Sequence, residues 1–147
     1  MKIKSISVLL LAVFFVISCK KKTEEVPVVT TVNFAATING ANEVPTNAST
    51  ATGAMTGSFD KVSKILTLSF TYTGLTATNM HIHKGAAGVS GGVLFGLSSA
   101  PFSSPVAYTS PALSPGQEDS LMTNLYYINI HSATFPGGEI RGQITKQ

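Results

Sequence analysis

His81, His83 and His131 are the residues of this 147-residue chain whose types and spacing could do chemistry. In Asn79-Met80-His81-Ile82-His83 an extended backbone turns Met80 and Ile82 to one face and both imidazoles to the other. In Tyr126-Tyr127-Ile128-Asn129-Ile130-His131, Ile128 and Ile130 take the apolar side. His131 then shares the outer face with Asn129 and Tyr127. Two strand residues at i and i+2 have Cα atoms ~6.6–6.8 Å apart, so their rings can lean onto one ion. If the two strands are neighbours, His131 completes a three-histidine site with an open position, the donor set of a copper or zinc centre. The alternative is a structural polar cluster, its rings bonded to Asn129, Tyr127 or carbonyls of the glycine-rich segment that follows.

That segment, Gly85-Ala86-Ala87-Gly88-Val89-Ser90-Gly91-Gly92, lacks the Gly-Lys-Ser/Thr ending of a phosphate loop and leads into a strand pattern, not a helix. Its glycines suit a loop folding back over the histidines, with positive φ where needed. Phe135-Pro136-Gly137-Gly138 suits a type II turn. After it Glu139, Arg141 and Gln143 alternate outward while Ile140 and Ile144 turn in. Glu139 and Arg141 share a face, so an ion pair or a link to a neighbouring strand is expected there; both are candidate neighbours of the histidine site. The sequence has no Gly-x-Ser-x-Gly, and no motif nominates a carboxylate pair. A non-catalytic role is expected.

The elements that must position these residues are short strands. Val32, Phe34, Ala36 and Ile38 alternate with polar or small residues until Asn39-Gly40. Leu66, Leu68, Phe70 and Tyr72 repeat the pattern, with Met55, Gly57 and Phe59 on a partner strand across the Asp60 to Lys64 turn. Further strands are expected at Asn79–His83, Val93–Leu97, Val106–Thr109, Leu125–His131 and Glu139–Ile144. About eight strands separated by Gly, Pro, Asn and Ser predict an all-β fold, an antiparallel Greek-key β-sandwich. One short helix is expected over Pro115–Thr123. Ser114 would cap it, Pro115 take the first helical position and Gln117 close a capping box. Leu121, Met122 and Leu125 would pack inward.

Composition narrows the function classes. Hydrophobic residues make up 44% and charged residues only 12%, which supports a folded core rather than disorder. Five of the ten Lys and Arg lie in the first 22 residues. Beyond them, five basic side chains face seven acidic ones, so no basic face for nucleic acid is expected. Residues 1–18 read as a secretory signal: Lys2 and Lys4, then an apolar run from Ile6 to Ile17 too short to span ~30 Å of hydrocarbon. Val16-Ile17-Ser18-Cys19 resembles the lipobox of bacterial lipoproteins. By that resemblance the signal is cut before Cys19, which is acylated (palmitate among the chains) and anchors the protein in a membrane. Lys20 after the cysteine implies the outer membrane. Residues 19–30 form the lipidated cysteine and a polar tether, and residues 31–147 the folded domain. The single Cys excludes an internal disulfide and any Cys-built metal site.

Three separated phrases carry a family resemblance. They are Met80-His81-Ile82-His83-Lys84-Gly85 with Gly91-Gly92-Val93, Leu125 to Ser132, and Phe135 to Gln143. Together with Phe34-Ala35-Ala36 and Gly40-Ala41-Asn42-Glu43-Val44-Pro45, they resemble the CHRD domain, from about Asn33 to Ile144. Lys84-Gly85 departs from members that place Gly directly after the second His, but the histidine pair is intact. The resemblance implies an immunoglobulin-like β-structure and no particular reaction. The His-x-His strand is also similar to that of Cu/Zn superoxide dismutase, whose metal ligands outnumber these three histidines and whose disulfide this chain cannot form. The expected function is therefore a lipid-anchored envelope module, non-catalytic and either binding or structural, whose ligand, a protein or glycan among the candidates, the sequence does not specify. The alternative is a copper or zinc domain, redox-related in one version, using His81, His83 and His131.

Overall fold

The computed structural model describes residues 30–97 and 101–147. The expected signal segment, Cys19 and most of the tether lie outside them. Among the described residues nine strands and one α-helix follow in order: β1 (Thr31–Asn39), β2 (Thr52–Asp60), β3 (Ile65–Thr73), β4 (Ala77–Lys84), β5 (Val93–Gly96), β6 (Val106–Thr109), α1 (Pro115–Met122), β7 (Tyr126–Ser132), β8 (Ile140–Gln143) and β9 (Thr145–Lys146). All pairings are antiparallel. Among the described residues no helix is long and apolar enough to cross a membrane.

The strand order is β5-β4-β7-β8-β1-β2-β3-β6, with β9 added to β1. One half, β1-β2-β3, is a meander closed by β6, and the other is β5-β4-β7-β8. The halves join at a single residue pair, Asn39 with Arg141. Because β3 pairs with β6 and β4 with β7, the chain crosses between halves in the Greek-key manner. The sheet curls over one apolar core. Val32, Phe34, Ala36 and Ile38 from β1, Leu66, Leu68 and Phe70 from β3, Met80 and Ile82 from β4, and Ile128 and Ile130 from β7 all contribute to it. The period-two pattern read from the sequence is thus the pattern of inward rows.

Helix α1 starts where expected and ends one residue early. The Gln117 side chain accepts from the Ser114 backbone N–H at 2.9 Å. Leu121 is fully buried, and the Tyr126 hydroxyl donates to the Gln117 carbonyl at 2.9 Å, tying the helix to β7. Asn39-Gly40 ends β1 in one 3-10 turn, Gly40–Asn42, with the Asn39 side chain accepting from Asn42 N–H. Strand β9 was not anticipated.

Two local expectations are corrected. The Phe135–Gly138 turn closes by Gly138 N–H to the Phe135 carbonyl at 3.1 Å, but positive φ falls at Gly138 (134°) rather than at Gly137. It is therefore not a type II turn, and glycine is required one residue later. Nor do Glu139 and Arg141 form an ion pair. Among the described residues the single side-chain ion pair is Lys64–Glu118, at 2.9 Å.

Candidate metal centre

The three histidines meet on the outer face of the sheet. β4 and β7 are neighbours, and their register sets His81 opposite Asn129, His83 opposite Tyr127 and Asn79 opposite His131. With Ile82 facing Ile128 in the core, this register leaves every imidazole on the other side. One ring nitrogen from each residue lies within 4.8 Å of the others. His81 Nδ1 and His131 Nε2 are 3.1 Å apart. Two ligand nitrogens ~2.0–2.1 Å from one ion at a tetrahedral angle would be about 3.3 Å apart, so this pair already stands near a coordinating separation.

Two loops cover the rings, which is why every residue of β7 is buried although only one of its faces meets the core. The glycine-rich loop folds back as expected, and its Gly91 carbonyl accepts from His83 Nδ1 at 3.0 Å. The turn before β8 supplies the Pro136 carbonyl, which accepts from His131 Nδ1 at 2.9 Å. A carbonyl can only accept, so both Nδ1 atoms carry hydrogen, which leaves Nε2 of each ring as the nitrogen able to bind an ion. Metal-binding imidazoles are typically fixed in this way, by a carbonyl or carboxylate on the far nitrogen. His131 Nε2 meets His81 Nδ1. His83 Nε2 is buried and has no hydrogen-bond partner at all.

The local field favours neutral rings. Burial holds His81 below the ordinary imidazole range, and the neighbouring His131 and His83 add to it. Burial also holds His83 low; the Gly91 carbonyl opposes this, while His131 and Arg141 reinforce it. Unprotonated imidazoles at neutral pH are the form that binds a metal.

Of the four expected neighbours, Tyr127 and Arg141 build the wall behind His83. The Tyr127 ring stacks on His83 with centroids 4.9 Å apart and planes at 6°, and its hydroxyl accepts from Gly91 N–H at 3.0 Å. The Arg141 guanidinium lies 3.4 Å from the centroid of the Tyr127 ring. Its Nη2 donates to the carbonyls of Ala86 and Val89, both at 2.9 Å, clamping the glycine loop. Asn129 sits between His81 and Arg141 in register, with its Oδ1 buried and unpartnered. Glu139 is not part of the cluster: its Oε1 accepts from Ser49 Oγ at 2.7 Å.

Glu43 was missed as a site residue. It is buried, and its Oε1 and the Asn129 side chain both crowd the place a Cβ at Gly138 would occupy. Burial raises its carboxyl above the ordinary range, against the backbone N–H of Val44 and the Arg141 charge. The one signal for it was its place in the Gly40–Pro45 phrase. A cleft of about 580 Å³ opens beside it, lined among others by Val44, Pro45, Ala87, Gly88, Arg141 and Gln143.

No curated protein and no solved structure matches this chain. A family model does: the CHRD domain, over residues 34–144. That span holds all three histidines, the loops that cover them and the Arg141–Tyr127 wall, and this chain belongs to the CHRD domain family.

Proposed function

We propose that this CHRD domain is a non-catalytic binding module of the cell envelope, and that its ligand is a transition-metal ion, copper or zinc, held by His81, His83 and His131. The observation that carries the reading is the buried, unpartnered Nε2 of His83, on a ring that belongs to a group of three whose nitrogens lie within 4.8 Å of one another. A buried nitrogen lone pair without a donor costs roughly 1–3 kcal/mol, and an ion in the cluster would remove that cost. The backbone carbonyls on His83 and His131 already fix the ring orientations that coordination needs. His81 alone would have to move its proton from Nδ1 to Nε2.

The anchor belongs to the same proposal. Acylation of Cys19 holds the domain at the outer membrane on the tether that precedes β1. Mass spectrometry of the purified chain tests it: acyl mass on Cys19, lost in Cys19→Ser together with membrane fractionation, is the expected outcome.

Calorimetric titration of the full chain with copper and zinc salts tests the metal reading. One ion per chain is expected, with stabilisation of about 2.7 kcal/mol when free metal reaches a hundred times Kd. Equal binding by wild type and by the His81→Ala/His83→Ala double variant overturns it.

A further inference from the structure

We propose that the three-histidine site selects cuprous copper over cupric copper and zinc, and that the Arg141 guanidinium stacked behind Tyr127 sets this preference. The inference rests on the metal-binding reading above and deepens it. Three observations carry it.

The donor set is neutral. The cluster holds three imidazoles and no carboxylate or thiolate among the described residues. Glu139 is engaged by Ser49, and Glu43 supplies no atom to the group of candidate ligands. An ion bound here keeps its whole charge in a pocket where His83 and His131 are buried, and the cost of burying charge grows steeply from one unit to two.

A fixed positive charge already stands beside the site. Arg141, Tyr127 and His83 form one column, with spacings of 3.4 Å and 4.9 Å. Arg141 is buried and donates to neutral carbonyls; among the described residues no carboxylate forms an ion pair with it, and the nearby Glu43, its carboxyl raised above the ordinary range by burial, offsets its charge only in part. Two such layers place the guanidinium ~8 Å from the imidazole. At an effective dielectric of about 20 that repels one additional unit of charge by a factor on the order of tenfold or more.

The number of donors agrees. Three nitrogens alone can satisfy a cuprous ion, whereas zinc has to complete its set with a water and cupric copper with a tetragonal set, and each such added ligand must enter the loop-covered pocket. Nitrogen sites ordinarily favour Cu(II) among divalent ions, so a cuprous preference is a demanding outcome.

The test is competition of the full chain against a chromophoric cuprous chelator under anaerobic reducing conditions, beside Cu(II) and Zn(II) titrations. Wild type is expected to hold Cu(I) more tightly than either divalent ion. Arg141→Gln should lower the Cu(I)-to-Cu(II) affinity ratio at least tenfold, and Arg141→Lys, which retains the charge, should keep it. Cu(II) or Zn(II) bound as tightly as Cu(I) by wild type overturns the proposal whether or not the Gln variant folds. An unchanged ratio in a folded Arg141→Gln overturns the role of the guanidinium. Uptake of no ion, or uptake undiminished in His81→Ala/His83→Ala, removes the site itself rather than its selectivity.

Discussion

A methyl group at Gly91 has nowhere to go: its Cβ would run into the Lys84 carbonyl, part of the backbone that carries His83. Gly91→Ala should push the loop outward, remove the carbonyl that orients His83 and cost about 1–3 kcal/mol. Metal affinity should fall by ~10–100-fold, as when other outer partners of a ligand are lost. Urea unfolding and ion competition read the two effects separately. The imidazoles make a second prediction. With His81 and His83 held below the usual 6.5 in the fold, the unfolded chain takes up their protons first as pH falls. The contribution of the neutral rings is therefore complete above pH 6.5 and is lost progressively below it. Thermal melts of the metal-free chain should show a decline below pH 6.5 that the double histidine variant reduces; an unchanged decline contradicts the assignment. The rings themselves were legible in the sequence, because a period of two admits only one face for His81, His83 and His131. Arg141 was legible as a neighbour of the site but its partners were not: they are backbone carbonyls of Ala86 and Val89, which carry no side-chain signal. An ion pair with Glu139 was the simpler inference from two charges on one face, but the guanidinium lies on the Tyr127 ring and the loop carbonyls while Glu139 is taken by Ser49.

At the scale of elements, β7 is the piece on which both the core and the site depend. Its inward face packs Tyr126, Ile128 and Ile130, and its outer face presents Tyr127, Asn129 and His131. Ile128→Ala should cost about 2–5 kcal/mol through the cavity it leaves, measured by chemical denaturation. Tyr126→Phe removes only the hydroxyl bond to the Gln117 carbonyl, and a loss near 1 kcal/mol is expected, with metal binding retained. Strand positions were readable because the alternation is regular, and Val106–Thr109 was placed to the residue. Helix α1 was readable for a different reason: its capping box is a local hydrogen-bond device that tertiary contacts left intact. What escaped was set at longer range. β9 is two exposed residues held by pairing with Phe34 and Ala35, more than a hundred positions away. At Gly138 the need for glycine is likewise set by other elements: Asn129 and Glu43 fill the space a Cβ would take, which the Pro-Gly pair before it does not signal.

For the whole molecule, the crossed order β5-β4-β7-β8 against β1-β2-β3-β6 lets segments remote in sequence converge. It brings His131 beside a pair fifty residues earlier, and it lays two glycine-bearing loops over the same face. The core faces inward and the site outward on the same strands, so the rigidity of one positions the other. X-ray absorption at the metal edge of the loaded full chain tests this account most directly. It predicts a nearest shell of three imidazole nitrogens at about 2.0 Å and no sulfur. A shell dominated by oxygen or sulfur, or one unchanged in the double histidine variant, would contradict it.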